Sequence, residues 1–303
     1  MDPVITLVRP PPGPSVTAFL PAHSTVDVSV NWTRTVDVGM LEARYVRRTD
    51  DYVVVYLSSQ TGCRQACRMC HLTATGQTAL RDATKAELWE QADVVLEHVQ
   101  TQPQAKVVHY NFMARGEPLA SAVLLDDADD VLDGLWHRAR AVDLKPRFLV
   151  STILPKSLGN RALEDVFDRY RPEIYYSLYS VDEGFRRRWL PKALPVSDAL
   201  ARLASWQRHT YKLVKIHYAF IAGENDAPEH VEAVCDALEA HRLLCHINLV
   251  RYNPPSDRHG VESDPSILEA HAARFAERLP HARVKVIPRV GYDVQASCGM
   301  FVE

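Results

Sequence analysis

From Val53 onward the apolar positions gather into short, nearly continuous runs, separated by longer stretches in which they recur at helical spacing. The runs at 53–58, 107–113, 147–153, 174–180, 213–221, 246–252 and 284–288 read as strands, and the stretches at 84–100, 120–141, 160–170, 196–208, 227–242 and 265–278 as helices. Runs such as Phe148-Leu149-Val150 lack a polar face, as expected of parallel strands covered by helices. Thr84 and Glu87 have the spacing of a capping box for the first helix. Upstream, residues 25–58 are rich in Val, Thr and Tyr, and Val26-Asp27-Val28-Ser29-Val30 alternates, which predicts two or three short strands. Residues 1–22, with Pro10, Pro11, Pro12 and Pro14, read as an irregular arm. Strict strand–helix alternation predicts an α/β fold, a partial TIM-like (β/α)6 barrel over residues 51–303. Residues 1–50 then supply the arm and a small N-terminal β segment. Chemistry in such barrels sits at the C-terminal ends of the strands.

Composition narrows the function. A chain of 303 residues, 47% apolar, can fill one large core. No apolar run reaches the roughly 18 residues of a membrane span. The start, Met1-Asp2-Pro3-Val4, lacks the basic-then-apolar pattern of a secretory signal, so a soluble, cytoplasmic protein is expected. A net charge of -3 argues against an extensive nucleic-acid interface but leaves room for a local patch. Arg186-Arg187-Arg188 and Lys192, beside Phe185 and Trp189, are such a patch: either a phosphate grip or the solvated face of a short helix.

Three of the six cysteines, Cys63, Cys67 and Cys70, crowd into C-x3-C-x2-C just after the first core strand. Without a secretory signal, such crowding points to metal before disulfides. Three thiolates on one loop can hold three irons of a [4Fe–4S] cubane and leave the fourth open. The amine and carboxylate of S-adenosylmethionine (SAM) can chelate that open iron, and an electron from the cluster then cleaves the sulfonium. Zinc, with His71 as a further ligand, or three unrelated buried thiols are the alternatives. Cys235, within a helix, and Cys245, at the start of a late strand, read as core.

Four further motifs accompany the cysteines: Ser58-Ser59-Gln60-Thr61-Gly62-Cys63, Ala74-Thr75-Gly76-Gln77, Phe112-Met113-Ala114-Arg115-Gly116-Glu117-Pro118-Leu119, and Asp293 through Ser297-Cys298-Gly299. In order and spacing, residues 38–303 resemble the RlmN/Cfr radical-SAM methyltransferases, which methylate ring carbons of adenine in ribosomal and transfer RNA. The resemblance implies a radical-SAM barrel, a [4Fe–4S] cluster on Cys63, Cys67 and Cys70, and SAM as cofactor. It implies that Gly116 and Glu117 hold the methionine amine, with Ser151, Ser177, Tyr179 (a histidine in the family) and Asn253 also at SAM. It implies that Cys298 takes a methyl group from one SAM. The radical from a second SAM removes hydrogen from that methyl, and the resulting carbon radical adds to the base. Glu42 aligns with the family's proposed general base. The implied partners are a nucleotide or RNA substrate and an electron donor such as flavodoxin or ferredoxin.

Three departures stand out. Tyr56 occupies the position of the family's second catalytic cysteine, which resolves the enzyme–base link. Arg115 replaces an apolar residue, and could meet a substrate anion or a neighbouring acid. The family's N-terminal helical RNA-binding module is not recognisable in the residues before Cys63. A radical-SAM enzyme whose 5′-deoxyadenosyl radical attacks a different substrate directly is therefore the alternative to methyl transfer. A non-catalytic iron–sulfur or zinc module that binds nucleic acid is a third reading, against which the SAM motifs count.

Overall fold

Ten strands join edge to edge in chain order: β1 (Leu20–His23), β2 (Val30–Thr35), β3 (Met40–Val46), β4 (Tyr52–Leu57), β5 (Val107–Phe112), β6 (Lys145–Thr152), β7 (Glu173–Ser177), β8 (Val214–Tyr218), β9 (Cys245–Val250) and β10 (Val284–Ile287). They belong to a computed structural model that describes residues 18–303. Strands β1 to β4 pair antiparallel and β4 to β10 parallel, so the N-terminal β segment extends the barrel sheet without a break. Each parallel step crosses over through a helix, as parallel pairing requires. The six crossover helices are Lys85–Gln100, Ala128–Ala141, Leu163–Val166, Val196–Thr210, Pro228–Ala240 and Pro265–Arg278.

Strand alternation divides the side chains between two environments. On β4, Val53, Val55 and Leu57 are fully buried in the main core, while Tyr52, Val54 and Tyr56 face the lumen. Val108, Tyr110, Ile174, Tyr176, Ile216 and Ile247 extend that core around the sheet. Burial of each such aliphatic side chain contributes about 1.5–3 kcal/mol. Cys235 and Cys245 lie within this core. Edge strands β1 and β10 do not pair with each other. The segment after β10 bridges back instead: Asp293 accepts from Ser24 and Thr25, and Asp27 accepts from the Gly291 amide.

Some boundaries differ from the sequence reading. The Thr84–Glu87 box forms, with both backbone amides satisfied. The stretch 120–141 is two helices, Ala122–Asp126 and Ala128–Ala141, broken at Asp127. The acidic run there marks a helix start, because Asp129 and Asp130 fall in the first turn, where the dipole favours them. Only Leu163–Val166 of 160–170 is helical; the amides of Arg169 and Tyr170 turn away to the Asp129 carboxylate. Residues 26–29 bend instead of pairing, since the side chains of Ser24 and Asp27 capture the local amides. Pairing occurs earlier, at β1, within the stretch read as the arm; Pro10 to Pro14 lie outside the described residues. Among the described residues no helix is long and apolar enough to cross a membrane.

Candidate active site at the mouth of the barrel

The loop that leaves β4 carries the cysteines. Its path is tight at Gly62, where a Cβ would stand 2.4 Å from the Ala79 carbonyl oxygen. The Cys63 amide then donates to Gln77 O at 3.1 Å, the Arg68 amide to Trp189 O at 3.0 Å, and the Cys70 amide to Cys67 O at 3.0 Å. These bonds bring Cys63, Cys67 and Cys70 to one cavity of about 130 Å³, together with Gly116, Glu117, Ser151, Ser177, Tyr179 and Cys298. The cavity therefore draws on the C-terminal ends of β4 to β7 and on the chain's last residues. Among the described residues no trio of His, Cys, Asp or Glu converges on a single-ion site, although the three thiols line the same cavity. Burial first, then the neighbouring Cys70, pushes the Cys63 thiol up to about 12. Cys70 is pushed up to about 11, chiefly by burial, and Cys67 well up for the same reason.

Gly116 adopts φ +94°, and a Cβ there would come within 2.7 Å of Gln60 Cβ. That left-handed turn aims Glu117 inward. Its carboxylate accepts from Thr152 Oγ1 at 2.6 Å and from the Ile153 and Leu119 amides at 3.1 Å each. Burial outweighs these bonds and pushes the carboxyl up to about 7. The Ser151 hydroxyl donates to Asn111 Oδ1 at 3.0 Å. Tyr179 is buried in a left-handed conformation, φ 58°, fixed by Asn225, which donates to its carbonyl at 2.7 Å.

Glu42 is not in this cavity. It is fully buried and accepts from Arg44 Nη2 at 2.6 Å, Arg115 Nε at 2.8 Å, Asn31 Nδ2 at 3.1 Å and the Val302 amide at 3.0 Å. Burial alone would raise its carboxyl; Arg44 and Arg115 outweigh it and hold the group below the ordinary carboxylate range. A carboxylate so held anchors the groups around it, and its proton affinity is reduced by the two guanidiniums. Arg115 accordingly meets a neighbouring acid, and it also donates to Gln77 Oε1 at 2.5 Å and to the Val302 carbonyl. Arg44 donates to Met300 O at 2.7 Å and Gln77 to Val302 O at 3.1 Å. The ion network thus clamps the segment that carries Cys298. Asn253 acts on the same segment: its Nδ2 donates to Cys298 O at 2.8 Å, and it does not line the cavity.

Below lies a second cavity, the barrel lumen, of about 300 Å³. Cys298, Met113 and His217 line both cavities, so the thiol stands at their junction. Tyr56, the replacement for the second cysteine, lines the lower one, and its hydroxyl accepts from Arg48 Nη2 at 3.2 Å. The thiol of Cys298 is raised, mainly by burial.

The arginine patch is largely structural. Arg186 is buried and donates to the carbonyls of Leu178 at 2.8 Å and Leu194 at 3.0 Å. Arg188 pairs with Glu224 at 2.7 Å. Sequence reasoning missed Arg44 and Asn31 as tail anchors. It also missed the lumen side chains, although polar residues two apart within strands, such as Glu173-Tyr175-Ser177, were a usable signal.

No protein-family model matches the chain. A probable dual-specificity RNA methyltransferase RlmN of Synechococcus sp. (strain RCC307) is 30% identical over 260 residues, covering 83% of this chain and 70% of that protein. One from Parafrankia sp. (strain EAN1pec) is 30% identical over 286 residues, covering 88% and 69%. Among solved structures, a radical SAM methyltransferase from Sphaerobacter thermophilus superimposes with a TM-score of 0.76 at 22% identity, covering 93% of this chain and 80% of that one.

Proposed function

The chain belongs to the RlmN family of radical-SAM RNA methyltransferases, and on that premise we propose that it methylates a ring carbon of adenine or a related heteroaromatic base, in RNA or a smaller nucleotide, with Cys298 as the methyl carrier. The observation that carries this reading is the place of Cys298 between two cavities. A carrier must face the methyl donor on one side and the acceptor on the other.

The donor set suits a [4Fe–4S] cluster. Three thiols line one cavity, and burial penalises their charged forms until a cation compensates. When bound, the cluster supplies the electron that cleaves SAM. Glu117, buried and without a cationic partner among the described residues, suits the methionine ammonium, with Gly116, Ser151, Ser177 and Tyr179 lining the same cavity. Asn253 positions Cys298 through its carbonyl, and Glu42 with Arg44 and Arg115 holds the tail in register. Cys298 gives up its proton as it takes the methyl group. Residues 51–303 make up this catalytic unit in our reading, with residues 1–50 as arm and sheet extension. We place the protein in the cytoplasm, with flavodoxin or ferredoxin as electron donor.

Tyr56 favours a second reading, in which the 5′-deoxyadenosyl radical attacks substrate directly, because tyrosine cannot form the disulfide that frees a methylene-linked base. Mass spectrometry of the anaerobically reconstituted protein after incubation with SAM separates the two. A methyl group on the Cys298 peptide supports the carrier. An unmodified Cys298 alongside 5′-deoxyadenosine formation refutes it and leaves direct radical attack.

A further inference from the structure

The lumen beneath Cys298 is unusually charged for the inside of a barrel, which is ordinarily packed with branched aliphatic side chains. Five cations line it, Arg48, Arg147, Lys215, Arg283 and Lys285, against a single carboxylate, Glu173. Glu173 is already engaged, ion-paired with Arg147 and 4.0 Å from Lys215. Arg283 and Lys285 have no acidic partner within ion-pair distance among the described residues, and Arg48, which donates from Nη2 to Tyr56, has a buried Nε without a hydrogen-bond partner. Five cations facing one carboxylate around a cavity of about 300 Å³ give it a positive field that favours an anion. The two lumen histidines show the same bias: burial first, then Arg147, pushes His109 down to about 4, and burial with Arg48 pushes His217 down to about 3.

We propose that this lumen is the substrate's phosphate site, holding the phosphate of a single nucleotide near the N-terminal ends of the strands while its base is turned up towards Cys298. The inference deepens the methyl-carrier reading and rests on it. Strand geometry sets the scale. Ser151 and Ser177 line the upper cavity, and Arg147 and Glu173 lie four residues back on the same strands, about 13 Å below. That depth accommodates a purine and its 5′-phosphate laid along the barrel axis. Aromatic rings line the walls: Tyr52 stacks on His109 at 4.3 Å at the level of Arg147, and Tyr175 meets His217 edge-on at 4.9 Å nearer the upper cavity. A lumen of this size admits one nucleotide, either free or extruded from an RNA strand.

The test is calorimetry on SAM-loaded, anaerobically reconstituted protein with adenosine, adenosine monophosphate and a short adenine-containing RNA, for the native chain and for Arg283→Gln/Lys285→Gln. Both side chains are exposed, Lys285 on the edge strand β10 and Arg283 just before it, so the double variant is expected to fold. The expected result is monophosphate binding at least tenfold tighter than adenosine, weakened about tenfold by the double variant and displaced by inorganic phosphate. Loss confined to the RNA supports the same site with an extruded nucleotide. Equal affinities for adenosine and its monophosphate, together with RNA binding unchanged by the variant, overturn the proposal. Methylation of the Cys298 peptide is measured in parallel: methylated Cys298 without phosphate-dependent binding sinks the lumen site alone, whereas phosphate-dependent binding with unmodified Cys298 sinks the carrier reading alone.

Discussion

Glu42→Gln distinguishes an anchor from a general base. The native carboxylate accepts from two buried guanidiniums, Asn31 and the Val302 amide. An amide keeps the shape but not the charge, and leaves Arg44 and Arg115 buried without a counter-charge. Removing one partner of a buried ion pair costs about 3–5 kcal/mol. With an unfolding entropy of about 2.1 cal/mol/K per residue, a chain of this length loses roughly 0.6 kcal/mol per degree, so Tm should fall by about 5–8 °C. The same change frees residues 297–303, which Arg44, Arg115 and Glu42 hold together. Differential scanning calorimetry reads the first effect, and hydrogen exchange of the C-terminal peptide the second. Methylation of Cys298 should fall with them, while iron content is preserved. The double variant Glu42→Gln/Arg115→Met should recover part of the lost stability, because the stranded charge goes too. A Glu42→Gln protein with native Tm, a protected tail and full Cys298 methylation, but no methylated product, would refute the anchor and restore the base.

Cys298→Ala should abolish product formation together with the substrate-dependent 5′-deoxyadenosine release that draws its hydrogen from the S-methyl group, while leaving iron content intact, as chromatography and iron analysis will show; loss of iron as well would mean the thiol is structural. Glu117 makes SAM binding depend on pH. Its carboxyl, near 7 instead of 4.5, is mostly protonated at about pH 6 and mostly ionised at about pH 8. Affinity measured by calorimetry should therefore rise about tenfold across that interval and lose this dependence in Glu117→Gln. Stability of the ligand-free protein runs the other way, since a carboxyl raised in the fold contributes fully below about 4.5 and loses that contribution as pH rises towards 7. Gly116→Ala places a Cβ against Gln60 at φ +94° and should cost about 1–3 kcal/mol with loss of SAM binding, checked by thermal unfolding and calorimetry.

The barrel was legible because its outward strand faces are long apolar runs and its helices carry their own start signals, as at Thr84 and Glu87. The shared cavity was legible through local motifs, each of which places its residues on a loop at a strand end. What sequence concealed was charge pairing across distance. Glu42 and Arg115 are 73 residues apart, and nothing local tells that their charges meet instead of facing substrate. Val26-Asp27-Val28 misled for the opposite reason: its alternation is real, but Val26 and Val28 are exposed and short polar side chains hold the turn.

The strict sequential order of the strands bears on how the molecule assembles. Neighbouring strands are neighbours in the chain, so the sheet can grow by closing modest loops. The contacts of the last residues differ: Arg44 reaches Met300 and Glu42 reaches Val302, 256 and 260 positions away. Closing so long a loop yields nothing until β3 is already in place. The expected order therefore puts the reactive thiol last, seated once the chamber that will use it is built, and pulsed hydrogen exchange during refolding would show the tail protected after the barrel. A partly folded chain would then carry its three loop cysteines and its lumen, but no seated Cys298.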